Sequence, residues 1–263
     1  MTLRVAWLTT GRGPGSYGAL EYTLRAIEGG LPVEIAVVFI NRDRGEAEAT
    51  DRLIAMVEGA GIPVETLSSV AFRKARGGKL SKPGEPLPAW RAEYDREVAS
   101  LLGRHEFELG VMFGYMLIAT EELYGRFTFI NDHPASPEGP VGTYEEVIRE
   151  LIRTAADDSG CLMNVVTGDL DRGPVVAFCR FPIRGDGIDA YWTMVAPEEG
   201  EEDQLFAEIR RLGVKRERPF LVETLAAIEE GRAQVPPARR ALDLTTEVEL
   251  RIAADRASQV ERV

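Results

Sequence analysis

The sequence is poor in several residue types, and each scarcity narrows the class of protein. It has two cysteines, Cys161 and Cys179. Two are too few for the disulfide framework of a small secreted domain, so both are expected to be buried apolar residues. No apolar run approaches the roughly 20 residues that cross a membrane. Residues 1–10 have a strand-like pattern, so no signal peptide is expected. We therefore expect a cytoplasmic protein with no membrane partner.

Positive charge is also scarce in this chain. Lys and Arg number 31 against 43 Asp and Glu, which gives a net charge of −12 and a pI near 4.9. Because a nucleic-acid binder usually carries a basic surface, no nucleic-acid partner is expected. Small-molecule substrates, anionic ones included, fit the sequence because local groups can outweigh the net charge. No set of residues has the spacing of metal ligands, so no metal is expected. The sequence does not fix the oligomeric state.

The order of apolar segments predicts the fold class. Runs rich in β-branched residues alternate with segments of helical period. The predicted strands of this first part cover residues 3–9, 33–40, 63–66, 109–113 and 127–130. Strands separated by helices indicate an α/β protein with an open, mostly parallel sheet and helices on both faces. Two later strands, 162–166 and 175–183, are predicted to pair with each other.

Two regions interrupt this pattern. Residues 68–89 are rich in Gly and Pro and are predicted to form a loop inserted into a domain that spans residues 1–231. The loop carries five basic residues: Arg73, Lys74, Arg76, Lys79 and Lys82. They form either a solvated face or a lid over an anionic substrate. Helices are predicted at 204–212 and 218–230, and residues 232–263 form a tail of uncertain structure.

Three polar segments at strand ends could carry chemistry. The glycine-rich segment 11–18 follows a strand and opens a helix, so it is either a phosphate cradle or a plain tight turn. It also fits a dinucleotide fingerprint, but Asp43 comes late for the acid that such a site needs. His133 follows a strand and precedes Pro134, where a histidine is either structural or catalytic. Residues 165–174 are either a hydrated hairpin or an acidic part of the same site.

Five motifs in order resemble the folate-dependent formyltransferase family. They are the glycine-rich turn from Gly11 to Ser16, Asn41-Arg42, Gly114-Tyr115-Met116, Asn131-Asp132-His133-Pro134 and Leu170-Asp171-Arg172-Gly173-Pro174. The similarity spans residues 3–183 and continues more faintly to residue 231. It implies a Rossmann-like formyltransferase fold. It also implies transfer of the formyl group of 10-formyltetrahydrofolate to an amine, foremost glycinamide ribonucleotide in purine biosynthesis.

The resemblance also implies roles for individual residues. The catalytic set would be Asn131, His133 and Asp171. The pterin of the folate would contact main chain on two sides, at Met116, Leu117 and Ala119 and at Gly168 and Asp169. The phosphate of the acceptor would lie on Gly13, Gly15 and Ser16.

The chain departs from the family pattern mainly on the acceptor side. Its glycine-rich turn is longer, contains Pro14 and has Tyr17 where the family has Asn. Basic residues dominate segment 214–217, near the family's acidic contact to the ribonucleotide. The acceptor could therefore be another amine, such as an amino-sugar nucleotide. Two further alternatives are a folate- or nucleotide-binding regulator without turnover and a nicotinamide-linked dehydrogenase.

Overall fold

The computed structural model describes residues 2–81, 85–185, 187–194, 202–238 and 240–260. The chain divides into two compact units. Unit 1 comprises Met1–Asn131 and Val165–Gly173, and unit 2 comprises Asp132–Asn164 and Pro174–Val263. The elements in chain order are β1 (Leu3–Thr9), α1 (Pro14–Glu28), β2 (Val33–Ile40), α2 (Glu48–Gly59), β3 (Val64–Thr66), α3 (Ser69–Ala75), α4 (Trp90–Leu102), β4 (Leu109–Met112), α5 (Glu121–Tyr124), β5 (Phe129–His133), α6 (Tyr144–Arg153), β6 (Asp158–Val165), β7 (Val175–Pro182), α7 (Asp189–Met194), α8 (Glu202–Glu229), β8 (Leu242–Asp243) and α9 (Thr245–Val260).

Unit 1 contains a parallel sheet in the strand order β3-β2-β1-β4-β5. Each neighbouring pair in this order runs parallel. All but one residue of β2 are buried, as expected for a strand that is covered on both faces. The parallel arrangement brings the C-terminal ends of β1, β2, β4 and β5 to the same edge. This edge is where open α/β sheets bind ligands.

Helices cover both faces of this sheet. On one face, Tyr94 and Val98 of α4 pack in a core cluster with Leu8 and Phe39. Ile40 points to the opposite face because successive strand residues alternate. A Cβ atom built on Gly11 would lie 3.4 Å from Ile40 Cγ2 and 2.9 Å from a methyl group of Leu53, which places α2 on that opposite face. The predicted open, mostly parallel α/β sheet is confirmed.

Within the basic segment 68–89, residues 69–75 form helix α3 where a loop was predicted. Ser68 caps α3, its Oγ accepting from Ala71 N at 3.1 Å, and Phe72 is buried. Beyond the helix, Lys79 O accepts from Trp90 Nε1 at 2.8 Å. The loop prediction was wrong for α3 because an N-cap and one buried aromatic residue outweigh the Gly and Pro that follow. Lys82 lies outside the described residues.

Unit 2 combines an antiparallel pair, β6 and β7, with β8 parallel to β7. The predicted pairing of the two late strands is confirmed, and Cys161 lies opposite Cys179 with both side chains buried. The two helices predicted at 204–212 and 218–230 form one helix, α8, with Pro219 inside it. Burial of Phe220 and Leu221 outweighs the break that Gly213 and Pro219 suggest.

Residues 232–260 are part of unit 2, and they form β8 and α9 in place of the predicted tail of uncertain structure. Thr245 Oγ1 accepts from Arg180 N at 3.0 Å, and Arg216 Nε lies 2.6 Å from Glu249 Oε1. These contacts join α9 to β7 and α8. The predicted domain boundary after residue 231 stays a prediction. No helix within the described ranges has the length and apolar character needed to span a membrane.

Candidate active site

The ends of β1 and β4 are joined through the turn that begins at Gly114. Gly114 O accepts from Thr10 N, and Thr10 Oγ1 accepts from Met116 N, both at 3.0 Å. Gly114 has a φ of +65°, and a Cβ atom there would lie 2.6 Å from Ser16 Oγ. Only glycine fits this position without strain. The glycine-rich turn after β1 and the turn after β4 therefore meet at one edge of the sheet.

Helix α1 begins at this edge, and within the described part of the chain the main-chain N–H groups of its first residues have no hydrogen-bond acceptor. Its N-cap residue is Gly13, which has no side chain to cap the helix, and its first turn contains no acidic residue. The N–H groups of Gly15 and Ser16 lie in the first turn, where no intrahelical acceptor exists. A Cβ atom on Gly13 or Gly15 would meet nothing within 4 Å. The three predicted acceptor residues thus form a helix start that suits an anionic group.

The turn after β4 presents both apolar side chains and main-chain groups. The side chains of Met116 and Ile118 are 69% and 40% exposed, while Leu117 packs on the core and Ala119 is buried. Within the described part of the chain, no hydrogen bond involves the main chain of Leu117 or Ala119. The predicted folate contacts on this turn therefore combine apolar surface with main-chain donors and acceptors.

The second predicted folate segment, residues 167–171, lies in the same unit. Asp169 N donates to Thr167 Oγ1 at 3.2 Å, and Asp169 O accepts from Arg172 N at 3.1 Å. A Cβ atom on Gly168 would lie 3.1 Å from Tyr124 Oη. Tyr124 and Leu117 pack on the same core cluster, so the turn and the loop share one support.

Asn131 and Asp171 are brought together at the end of β5. Asn131 Nδ2 donates to Asp171 Oδ1 at 3.3 Å, although 40 residues separate them. Asp171 has a φ of 55°, a left-handed conformation that Asp and Asn adopt more readily than most other residues. The loop holds a carboxylate against the amide at a strand end.

His133 ends β5, two residues after Asn131, and is described with unit 2. Its side chain is buried, and Nε2 lies 3.0 Å from Pro140 O. A carbonyl oxygen only accepts hydrogen bonds, so this contact requires a proton on Nε2. The convergence of Asn131, His133 and Asp171 on one reaction centre stays a prediction.

Asp132 stands between the two predicted catalytic residues and has a different environment. Its Oδ1 is buried without a hydrogen-bond partner among the described residues. Burial, followed by the nearby Glu217 carboxylate, raises the pKa of Asp132 well above its ordinary value, and Arg210 partly offsets this. The sequence analysis assigned Asp132 no role. In the described ranges no group of three His, Cys, Asp or Glu residues is arranged to hold a metal ion.

Comparisons with known proteins identify the fold. No protein-family model and no curated protein sequence matches the chain. Among solved structures, the phosphoribosylglycinamide formyltransferase of Coxiella burnetii matches at 18% identity and a TM-score of 0.59, covering 89% of this chain and 90% of that one. Glycinamide ribonucleotide transformylase 1 of Symbiobacterium toebii matches at 22% identity and 0.59, covering 92% and 95%.

A third similar structure has a different printed activity. It is the formyltetrahydrofolate deformylase of Pseudomonas syringae pv. tomato, at 21% identity and a TM-score of 0.59, with 88% of this chain and 63% of that one covered. Transferases and a deformylase therefore share this architecture. At these identities the matches establish the fold, which is the formyltransferase fold.

Proposed function

We propose that the protein transfers the formyl group of 10-formyltetrahydrofolate to an amine. The observation that carries the proposal is the hydrogen bond between Asn131 and Asp171 at the end of β5. In unit 1 the turn at 114–119 and the loop at 167–171 accompany this pair and rest on shared core residues. A binding protein without turnover has no need of an amide and a carboxylate paired in this way. No metal is required.

The chemistry assigns a role to each polar side chain. The amine nitrogen attacks the formyl carbon, a C–N bond forms, and the carbonyl oxygen gains negative charge in a tetrahedral intermediate. Preorganised donors stabilise that oxygen, and the Asn131 amide is one of them. As the bond from carbon to folate N10 breaks, the proton lost by the amine is delivered to N10.

His133 completes this proton balance. In this proposal the His133 imidazole, held by the contact of Nε2 with Pro140 O, takes up the amine proton and, once protonated, is a second donor to the oxyanion. Asp171 assists either by favouring the protonated imidazole through its charge or by acting through a bound water. Both routes require the Asp171 carboxylate to be ionised.

The donor and acceptor sides differ in how closely they follow the family pattern. On the donor side, Met116 and Leu170 expose apolar side chains at the two predicted folate segments. On the acceptor side, the amides of Gly15 and Ser16 suit an anionic group such as a phosphate. We propose glycinamide ribonucleotide as the acceptor, in cytoplasmic purine biosynthesis. An amino-sugar nucleotide is the alternative, because the glycine-rich turn departs from the family here.

The proposal is tested by binding and then by turnover. We expect saturable binding of 5,10-dideazatetrahydrofolate, an analogue in which carbon replaces the nitrogen that carries the formyl group. With 10-formyltetrahydrofolate, release of tetrahydrofolate should require an added amine, and glycinamide ribonucleotide is compared with amino-sugar nucleotides. No binding at millimolar analogue would overturn the folate assignment. Equal release of tetrahydrofolate and formate without an amine would indicate a deformylase.

A further inference from the structure

Helix α4 carries a buried ion pair next to the turn at residues 114–120. The side chains of Arg91 and Asp95 are 2% and 0% exposed, and Arg91 Nη2 lies 3.5 Å from Asp95 Oδ1. Both side chains also bind the main chain of the turn. Arg91 Nη2 donates to Ile118 O at 2.7 Å, and Asp95 Oδ2 accepts from Thr120 N at 2.6 Å. The pair therefore binds main-chain groups of the turn on both sides of Ala119, at Ile118 and Thr120.

Burying an ion pair in a helix face requires free energy to remove both charges from water. Burial raises the pKa of Asp95, and the Arg91 charge and the Thr120 N–H only partly counter it. Apolar residues of similar volume often give equal or greater stability than a buried pair. The bond between the two side chains is long, whereas their bonds to the main chain are short. The geometry therefore favours a role in fixing the turn over a role in stabilising α4.

The turn is held at both ends and supported from beneath. Thr10 fixes its first residues through Gly114 O and Met116 N. The ring of Tyr115 is buried edge-on against Phe39, with centroids 6.4 Å apart. Between these fixed points lie Leu117 and Ala119, whose main-chain groups have no partner within the described part of the chain. Such groups can bind a heterocycle edge only if their positions are fixed.

A surface pair on the same helix provides a contrast. Arg96 Nη2 lies 2.6 Å from Glu122 Oε1, and this pair also joins α4 to the region after the turn. Its side chains are 60% and 39% exposed, and they bind each other rather than main chain. Exposed pairs of this kind contribute little to stability. The surface pair therefore serves as a matched control for the buried one.

We propose that Arg91 and Asp95 are positioning residues for the donor site, setting folate affinity by holding the main chain of Leu117 and Ala119. The proposal rests on the proposed function, since it takes the turn to bind the pterin edge. Both side chains are buried and bound to the main chain of the turn. Their effect passes through Ile118 O and Thr120 N and is directed to the donor rather than to the amine.

The main test replaces the pair without leaving a buried charge. The double variant Arg91→Met/Asp95→Leu should fold, because both charges are removed together. Asp95→Asn is the second variant; because it keeps an acceptor for Thr120 N, folate affinity should fall in it, but less than in the double variant. We expect the dissociation constant of 5,10-dideazatetrahydrofolate to rise about tenfold or more in the double variant, because losing one well-placed hydrogen bond to the ligand weakens binding by about that factor. The KM for the amine should change less than about twofold, since the amine binds elsewhere.

Two controls separate positioning from loss of stability. Glu122→Gln breaks the exposed pair and should leave folate affinity unchanged. Val57→Ala removes buried packing from α2, away from the core cluster under the turn, and lowers the melting temperature. It should leave folate affinity unchanged in the folded protein. Weaker binding in Val57→Ala as large as in the double variant would overturn the positioning role.

The remaining outcomes distinguish this inference from the proposed function. If the wild-type protein binds no folate analogue, the proposed function fails and the inference fails with it. If the wild type and both variants of the buried pair bind the folate analogue with equal affinity, only the inference is overturned. Amide hydrogen exchange at residues 117–120 provides an independent readout. Exchange should be faster in the double variant and unchanged in Glu122→Gln.

Discussion

Near its end, strand β5 has polar side chains with hydrogen-bond partners on one side and a carboxylate with an unpartnered buried oxygen, among the described residues, on the other. Asn131 and His133 point to one side, and Asp132 points to the other, because strand residues alternate. Asn131 is bound to Asp171, and His133 is bound to a carbonyl oxygen. Asp132 has a buried oxygen without a partner among the described residues and lies near another carboxylate.

Under the proposed function, two of three consecutive residues would take part in the reaction and the third would affect stability. On the side of Asn131 and His133, the polar groups have partners that fix their geometry, as a reaction centre requires. On the Asp132 side, burial disfavours the charged carboxylate. Substitutions on the first side should therefore reduce turnover with little change in stability. A substitution on the second side should change stability with little change in turnover.

The largest effect is expected for His133→Ala. Loss of a positioned acid–base group should lower the rate of formyl transfer by about 10²–10⁴-fold. Folding should survive, with a cost of about 1 kcal/mol for the hydrogen bond to Pro140 O. The measurement is the initial rate with 10-formyltetrahydrofolate and the amine, together with thermal unfolding. His105→Ala is the control, because His105 pairs with Glu65 on the surface of unit 1. Transfer near the wild-type rate would remove His133 from the mechanism.

A smaller loss is expected for Asp171→Asn. The amide keeps the shape of the side chain and tolerates the φ of 55°, but it removes the charge that assists the proton transfer. Turnover should fall by about 10–10²-fold with the melting temperature unchanged. Asp171→Ala should lose similar activity and also about 1 kcal/mol of stability from the strained backbone. Arg172→Gln, an exposed neighbour, is the control. If Asp171→Asn transfers formyl at the wild-type rate, the carboxylate has no part in the reaction.

Asp132→Asn should change stability and leave turnover nearly unchanged, the opposite of the two preceding substitutions. The pKa of Asp132 is raised in the folded protein, so the native state holds more protons than the unfolded one above about pH 4. Stability from this group is therefore fully present below its unfolded pKa and is lost as pH rises from there to the raised pKa of the folded protein. The neutral amide avoids that loss and should gain roughly 1–2 kcal/mol at neutral pH. Urea unfolding at about pH 4 and about pH 8 measures it, and the gain should be larger at the higher pH. If the variant and the wild type have the same unfolding curve at both pH values, the raised pKa of Asp132 is contradicted.

Some of this arrangement could be predicted from the sequence. Strand β2 is an apolar run interrupted only by Glu34, a pattern typical of parallel strands that are covered on both faces. The pairing of Asn131 with Asp171 followed only from the family resemblance, because spacing cannot reveal contacts across 40 residues. Helices α3 and α8 contradicted local signals, since tertiary burial of Phe72 and Phe220 outweighed the nearby Gly and Pro.

The buried pair on α4 was missed for a related reason. Charged residues at i and i+4 are normally interpreted as a solvated helix face. Arg91 and Asp95, however, flank Tyr94 on the same helix face that Trp90 and Val98 mark as apolar. The sequence signal that could have revealed the pair is the position of two charged residues within the apolar face of the helix.

The smallest effect is expected for the double variant Lys74→Gln/Lys79→Gln in the basic segment. Two of its cations are already engaged, since Arg73 Nη1 donates to Gly78 O at 3.2 Å and Arg76 Nε lies 2.7 Å from Glu93 Oε2. Lys74 and Lys79 are exposed, and exposed charges act weakly through screening solvent. We expect the KM for the acceptor amine to change less than about twofold. A lid over the anionic acceptor instead predicts a higher KM in the variant, with the difference reduced by added salt. Measuring the KM for the acceptor at about 20 mM and about 300 mM salt decides between the two interpretations. If the segment is a lid, the KM of the wild type rises with salt and the KM of the double variant stays constant. If it is a solvated face, the two proteins respond to salt alike.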